Sequence, residues 1–286
     1  MPANATAATR GTTLVIGASG KTGRRVAQRL TADGLSVRPA SRTAEARFDW
    51  NDPATWGPAL DGAAAAYITY YPDLALPGAA ETVGAFAEQA VAADVRRLVL
   101  LSGRGEAGAR DAEQHLQQSG ADWTIVRCAF FNQNFSESFF AEAVRSGRLA
   151  MPGGDTREPF VDADDIADVA YAALTDDRHI GQLYELTGPR LLTLADAAAE
   201  LSATLGREVQ YQPITADAYA RELTALGLPA RDAEPIAALI AEVLDGRNAH
   251  LADGVQRALG RPPRDFRDYA RNAAASGAWS LEQTAA

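Results

Sequence analysis

The sequence has very few of the residues that form disulfides and metal sites. It contains one cysteine, Cys128, and three scattered histidines, His115, His179 and His250. A single cysteine excludes an intramolecular disulfide and a cysteine-based cluster, and isolated histidines do not form a His-rich site. We therefore predict no metal ion. No base is identifiable beside Cys128 in the sequence, so we interpret it as a small buried residue and not as a nucleophile.

Long apolar runs and an excess of positive charge are also missing. No run of about 18 apolar residues exists, so the sequence predicts no membrane-spanning segment. Residues 1–11 lack the apolar centre of a signal peptide and predict a disordered tail. The net charge is -10, whereas binding to a nucleic-acid backbone needs a basic patch. These features predict a cytoplasmic protein that binds neither nucleic acid nor membranes. We expect a monomer or homodimer, although the sequence does not determine which.

Lysine is almost absent as well. Of the 27 basic residues, Lys21 is the only lysine, and all the others are arginines. Any chemistry that needs a lysine elsewhere in the chain is therefore excluded.

The first two-thirds of the sequence alternates short apolar runs with helical patterns. Strand candidates such as "TTLVIG", "ARFDW" (46–50), "AAAAYITYY", "RRLVLLS" and "DWTIVR" are separated by segments with helical spacing. In "DPATW", Asp52 is expected to cap a helix with Pro53 in its first turn. This alternation is typical of βαβ units in a parallel sheet. We predict an α/β fold, a Rossmann-like doubly wound parallel sheet with a small, mostly helical C-terminal substrate lobe. The expected core is 12–135 plus 158–190, and the expected lobe is 136–157 plus 191–286.

The segment "LVIGASGKTG" at 14–23 resembles two different nucleotide loops. A triphosphate-binding loop that ends at "GKT" requires glycine at position 15, where this sequence has Val15. The remaining pattern, with glycines at every third position between a strand and a helix, is typical of a dinucleotide site. There one glycine allows a tight turn, one admits a pyrophosphate and one lets the helix pack closely. The predicted contacts are Gly17, Ala18, Ser19, Gly20, Lys21, Thr22 and Gly23.

The end of the second predicted strand indicates which dinucleotide binds. An NAD site usually places a carboxylate there to hold the ribose 2′-hydroxyl. This sequence has Ser41 and Arg42 instead, and an arginine can pair with a 2′-phosphate. We therefore predict NADPH as the cofactor.

Several segments, in this order, resemble the NmrA-like branch of the atypical short-chain dehydrogenase/reductases. They are "GASGKTG", "SR", "RRLVLLS", "SGADWTIVR" with "FFNQNF", "FVDADDIADVAYAAL" through "YELTGP", and "ALGRPPRDFRDYA". "FDWNDPATW" is similar to a subgroup around ergot-alkaloid biosynthetic reductases. The resemblance implies a Rossmann core with a small substrate lobe, and Asp165 as a structural helix cap. It also implies cofactor contacts from the glycine loop, Arg42, Asp49 near the adenine, Thr69, Tyr70 and Ser102.

The catalytic pair of the wider superfamily is missing. Typical members use a serine together with Tyr-x-x-x-Lys, in which the tyrosine protonates the nascent alkoxide. Ser102 matches the serine. If Glu113 matches the glutamate after the helix motif, the tyrosine and lysine positions hold Gly105 and Ala109. Arg104 flanks them, but an arginine does not release a proton near neutral pH.

Two classes of function remain. The first is a reductase of a pre-activated group, because a product anion roughly six pK units less basic than an alkoxide saves about 8 kcal/mol. Reduction of a conjugated ketone is our main hypothesis, with iminium or quinone reduction as alternatives. Ser102, Arg104 or water would orient the substrate, and His115 is a candidate proton relay. The second class is a non-catalytic, NADP(H)-sensing regulator.

An aromatic insert follows the last predicted core strand. Its phenylalanines are either core residues or, with Tyr70 and Tyr71, part of a pocket for a flat aromatic or polycyclic compound. Asn132 would add a polar contact there. The insert comprises Phe130, Phe131, Asn132, Phe135, Phe139 and Phe140.

Overall fold

A computed structural model describes residues 11–137 and 140–280. The predicted tail, apart from Gly11, and Phe139 lie outside these ranges. The strands are β1 Thr12–Ile16, β2 Val37–Ser41, β3 Ala46–Arg47, β4 Ala63–Ile68, β5 Arg97–Gly103, β6 Asp122–Cys128, β7 Arg148–Met151, β8 Arg157–Glu158, β9 Gln182–Leu186, β10 Leu192–Thr193 and β11 Gln210–Pro213. The α-helices are α1 Gly23–Ala32, α2 Trp56–Leu60, α3 Ala79–Ala92, α4 Ala107–Gln118, α5 Phe140–Ser146, α6 Ala163–Thr175, α7 Leu194–Leu205, α8 Ala216–Ala225, α9 Ala230–Val243, α10 Gly254–Leu259 and α11 Phe266–Ala275.

The first of two compact units contains a seven-stranded sheet. Its strand order is β3-β2-β1-β4-β5-β6-β9, and every neighbouring pair is parallel. Leu14 and Ile16 share a core cluster with Phe86 of α3 and Leu116 of α4. Val15 lies between them and points to the opposite face, which α1 and α6 cover. This confirms the predicted Rossmann-like, doubly wound α/β fold.

Aromatic packing shortens one of the predicted strands. The strand expected over 46–50 is limited to Ala46–Arg47, because Phe48 and Trp50 turn into the core. Their rings lie 5.5 and 5.4 Å from that of Phe86. Asp52, expected to cap the next helix, makes no capping hydrogen bond with its side chain, and the chain enters a 3₁₀ turn at Pro53–Thr55.

The second unit has its own aromatic core. Its described residues are 129–137, 140–162, 187–252 and 263–280, with two small sheets, β10-β8 and β11-β7, and the helices α5, α7, α8, α9 and α11. Phe135 is fully buried here, with its ring 5.6 Å from that of Phe160 and 5.5 Å from that of Phe266. The indole nitrogen of Trp279 donates to the Phe135 carbonyl over 2.8 Å.

The two units divide the chain differently from the predicted core and lobe: 129–135, 158–162 and 187–190 lie in the second unit, and 253–262 lies in the first. This segment groups with the sheet, whereas the sequence placed it in the lobe. A Cβ on Gly254 would lie 2.2 Å from the Glu185 carbonyl oxygen, so α10 packs directly on β9. Arg261 forms an ion pair over 2.7 Å with Asp165, which is buried in the first turn of α6. Asp165 therefore joins this segment to α6. Across the described ranges, no helix is long and apolar enough to cross a membrane.

Candidate functional site

The loop between β1 and α1 is closed by contacts that only glycine permits. Gly17 has a φ of 71°, and a Cβ there would lie 2.3 Å from the Thr69 hydroxyl oxygen. A Cβ on Gly23 would lie 2.3 Å from the Gly17 carbonyl oxygen, so the helix starts against the loop backbone. The Gly20 N–H donates to the same carbonyl over 2.8 Å. These contacts match the turn and packing roles of dinucleotide-loop glycines.

The amino end of α1 is suited to an anion. Thr22 occupies the cap position, yet its side chain makes no capping hydrogen bond. Ser19 and Gly20 are exposed, whereas Ala18 and Lys21 are half-buried. A helix start carries partial positive charge and N–H groups without helical partners. The loop therefore fits a cofactor pyrophosphate.

Arg42 follows β2 and contacts a tyrosine that follows β4. Its guanidinium carbon lies 5.2 Å from the centre of the Tyr71 ring, and both side chains are exposed. Ser41 accepts hydrogen bonds from the Thr43 and Ala44 N–H groups over 3.3 and 3.0 Å, which shape the turn. The structure thus places Tyr71, expected at the substrate, beside the expected 2′-phosphate contact.

Indole hydrogen bonds hold the backbone at two other expected cofactor contacts, Asp49 and Thr69. The Trp50 indole donates to the Thr69 carbonyl over 3.0 Å, and its ring lies 5.0 Å from that of Tyr70. The Trp56 indole donates to the Asp49 carbonyl over 2.9 Å. Trp50 and Trp56 therefore hold the backbones of Thr69 and Asp49 in place.

Ser102 begins a chain of charged groups at the carboxyl ends of β5, β6 and β9. Its hydroxyl donates to Glu113 Oε1 over 2.6 Å. Arg127 Nε donates to the same oxygen over 2.9 Å, and Arg127 Nη2 donates to Glu113 Oε2. The hydrogen bond to Glu113 raises the pKa of the Arg127 guanidinium. Glu113 thus accepts hydrogen bonds on both carboxylate oxygens.

The chain continues from Arg127 through β9. Glu185 lies 3.6 Å from Arg127 Nη1 and accepts a hydrogen bond from Arg104 Nε over 2.6 Å. Arg104 is buried, and its backbone N–H donates to the backbone carbonyl of Cys128. The structure therefore brings Ser102 and Arg104 into one network of two arginines and two glutamates whose formal charges cancel.

The structure does not bring His115 to this network. It lies on an exposed side of α4, and a Cβ on Gly84 of α3 would be 2.9 Å from its Nδ1. Glu113 is two positions away and so points to nearly the opposite side of the helix. His115 packs against α3, and the geometry gives it no path to Ser102.

The expected substrate residues of the second unit divide into two groups. Phe135 is fully buried in the core of the second unit, so it contributes to packing there and has no surface on which a substrate could bind. Phe130 and Phe131 are half-buried. Asn132 has no exposed surface, and its Oδ1 and Nδ2 atoms have no hydrogen-bond partner among the described residues. An unsatisfied buried polar group costs about 1–3 kcal/mol, and this amide is therefore an unusual feature of the second unit.

Comparison with known proteins decides the family. An NAD(P)H-binding family model matches residues 17–177, and the NmrA-like family model matches residues 110–260. The chain belongs to the NmrA-like family. It is 33% identical to an NAD(P)H azoreductase of Xenophilus azovorans over 93% of this chain and 99% of that protein. It is 30% identical to the agroclavine dehydrogenase of Claviceps fusiformis over 90% of this chain and 96% of that protein.

A solved structure agrees with this assignment. The triphenylmethane reductase of Citrobacter sp., complexed with NADP(H), superposes with a TM-score of 0.73 over 92% of this chain and 99% of that one, at 19% identity. That identity supports a shared fold. The predicted family is confirmed, including relatives from ergot-alkaloid biosynthesis, and this NmrA-like chain is an NAD(P)H-dependent oxidoreductase.

Sequence reasoning missed three members of this NmrA-like site. Arg127 and Glu185 received no role, and Glu113 served only to align a motif. Their signal was weak, although polar residues within otherwise apolar strands, as in "DWTIVRC" and "QLYEL", are uncommon in a parallel sheet.

The loop geometry predicts a difference between two glycine variants. Gly17 and Gly34 both have positive φ, 71° and 74°, but nothing lies within 4 Å of a Cβ on Gly34. Gly34→Ala should lose about 1–2 kcal/mol of stability, the cost of a side chain at positive φ. Gly17→Ala should lose more, because its Cβ would also clash with the Thr69 hydroxyl. Gly17→Ala alone should weaken NADPH binding about tenfold or more, measured by fluorescence titration. Equal weakening by Gly34→Ala would contradict this interpretation.

Burial also predicts the reactivity of Cys128. The thiol is buried, and this raises its pKa well above the ordinary value. Because burial disfavours the thiolate, the native protein should resist a disulfide reagent at about pH 8, near the ordinary thiol pKa. One thiol should react after denaturation. Fast reaction of the native chain, or loss of cofactor binding in Cys128→Ala, would count against a purely packing role.

Proposed function

We propose that the chain is an NADPH-dependent reductase of a pre-activated C=O, C=N or quinone group on an aromatic or polycyclic compound. The observation that carries this proposal is the hydrogen bond from Ser102 to Glu113. It commits the serine hydrogen to a carboxylate that already pairs with Arg127. No tyrosine or lysine follows on α4 to replace it as an acid.

The cofactor fits the residues of the first unit. The turn at Gly17 and the start of α1 would hold the pyrophosphate, and Arg42 would hold the 2′-phosphate. Tyr71, against the Arg42 guanidinium, then belongs to the adenosine side. Bound there, the cofactor supplies a hydride from its nicotinamide ring.

Acid catalysis is the step for which the described residues are least equipped. Arg104 and Arg127 are bound to carboxylates and keep their protons. The Tyr67 hydroxyl is fully buried, and burial raises the pKa of this phenol. A substrate whose product is a weak base needs no protein acid, which favours conjugated or cationic electrophiles.

The second unit supports an aromatic ligand. Phe130 and Phe131 retain exposed surface next to the buried amide of Asn132. Rings of this kind bind flat apolar compounds, while an amide supplies orientation. The printed activities of the relatives, on azo compounds and on a clavine alkaloid, are consistent with such substrates.

A substrate panel tests the activity. NADPH oxidation should be detectable with at least one of a naphthoquinone, an azo dye, a cyclic imine and a polycyclic aromatic ketone. An unconjugated aliphatic ketone is the control and should not react, because its alkoxide product needs an acid. Tight NADPH binding without turnover of any compound would instead favour a cofactor-sensing regulator.

Cofactor preference gives a second test. Arg42→Ala should weaken NADPH binding about 10- to 100-fold, because a charge-assisted hydrogen bond contributes about 1.5–3 kcal/mol, and should leave NADH binding within about twofold. The matched control is Arg47→Ala, which removes another exposed arginine, from the neighbouring strand. Calorimetry with both cofactors measures the change. Equal losses for NADPH and NADH would show that Arg42 does not contact the 2′-phosphate.

A further inference from the structure

The hydrogen-bond polarity of Ser102 is determined by its surroundings. Both oxygens of Glu113 accept hydrogen bonds, Oε1 from Ser102 and Arg127, and Oε2 from Arg127. A serine hydroxyl has one hydrogen and two lone pairs. Since the hydrogen is directed at Glu113, the lone pairs of Ser102 Oγ can only accept hydrogen bonds from a ligand.

This arrangement is held from several directions. Ser102 lies on β5, Glu113 on α4 and Arg127 on β6, and Ser102 and Arg127 are register partners in the sheet. Glu185 on β9 restrains Arg127 from its other side at 3.6 Å. Turning the hydroxyl toward another acceptor would remove a 2.6 Å hydrogen bond from a buried, charge-paired carboxylate. The loss of a hydrogen bond to a buried charged group costs more free energy than the loss of one between neutral groups.

Ser102 also lies where a ligand of this fold binds. In sheets with this strand order, the dinucleotide binds outside the carboxyl ends of the strands, at the reversal between β1 and β4. Arg42, after β2, marks one side of that reversal. Ser102, near the end of β5, marks the other side, two strands from β1 and so about 10 Å away.

We propose that Glu113 and Arg127 are positioning residues that make Ser102 a hydrogen-bond acceptor toward the substrate. The site then selects a reacting heteroatom that carries hydrogen, namely the N–H of a protonated imine, over a bare carbonyl oxygen. This inference rests on the proposed reductase function and names its substrate class. A carbonyl oxygen would be repelled by the lone pair of Ser102 Oγ, because both atoms are hydrogen-bond acceptors. An iminium N–H would instead donate a hydrogen bond to that lone pair.

The electron balance of this reaction needs no protein acid. Hydride adds to the carbon of C=NH⁺, and a new C–H bond forms. The π pair of the C=N bond becomes the nitrogen lone pair, so that the product is a neutral amine and the nicotinamide is oxidised. The N–H proton stays on nitrogen throughout, hydrogen-bonded to Ser102 Oγ.

Three compounds of similar shape distinguish the effect of a ligand's charge on binding from the effect of its hydrogen-bond donor. They are protonated dihydroisoquinoline, its N-methyl iminium and tetralone, which offer a cationic N–H, a cation without a donor and a neutral acceptor. Their binding to the protein saturated with NADP⁺ would be measured by calorimetry below the pKa of the imine. Because the oxidised cofactor donates no hydride, the readout is affinity alone.

The wild-type protein should bind the protonated imine about 10- to 100-fold more tightly than the N-methyl cation, the range expected for a hydrogen bond to a charged group. Ser102→Ala should bring this ratio close to one and leave tetralone binding unchanged or tighter. Glu113→Gln, whose amide can donate to Oγ, should release the serine hydrogen and tighten tetralone binding severalfold. Thr124→Val is the matched control, since it deletes another buried hydroxyl hydrogen bond of the same sheet, to the His179 carbonyl.

Several results would overturn the inference. One is a wild-type protein that does not distinguish the two cations. Another is a Ser102→Ala variant that loses affinity for tetralone as strongly as for the imine, which would mean that Ser102 donates. A single cooperative thermal transition above the assay temperature would show that each variant folds, even where its melting temperature is lower than that of Thr124→Val. NADPH oxidation by the substrate panel is scored separately, so the proposed function stands or fails on that result.

Discussion

The ion pair between Glu113 and Arg127 is the constraint on which the rest of the site depends. Two hydrogen bonds join the side chains, and the carboxylate is almost wholly buried. Removing Arg127 would leave the buried Glu113 carboxylate without its cation, at a cost of about 3–5 kcal/mol. The pair therefore fixes the register of α4 against β6 and, through Glu113, the direction of the Ser102 hydroxyl.

The glycine loop is a second place where close packing determines the geometry of the site. Gly17, Gly23 and the Thr69 hydroxyl occupy so little space that β1, α1 and the end of β4 approach at backbone distance. Thr69 Oγ1 donates to the Ile16 carbonyl over 3.0 Å, which satisfies the last carbonyl of β1. The start of α1 next to this loop has no side-chain cap, and its N–H groups therefore suit a phosphate.

Much of the fold could be predicted because it follows from local patterns. Alternation of apolar runs with helical spacing is sufficient to indicate a parallel sheet, and the strand–loop–helix context of the three glycines indicates a dinucleotide site. The predictions that differ from the structure involve contacts between distant residues. Phe48 and Trp50 leave the expected strand because Phe86 draws them into a cluster, and the segment around Gly254 packs on β9 although the sequence placed it in the lobe.

The sequence by itself determined the fold class, the glycine loop and the absence of the usual tyrosine–lysine pair, since each depends only on residue type and spacing. Only the tertiary structure decided what Ser102, Tyr71 and Phe135 do. Ser102 is paired with a glutamate from the next helix, Tyr71 lies against Arg42 and Phe135 is enclosed in a core. The physical reason is that hydrogen-bond direction, stacking and enclosure depend on partners far apart in the chain, and folding alone brings those partners together.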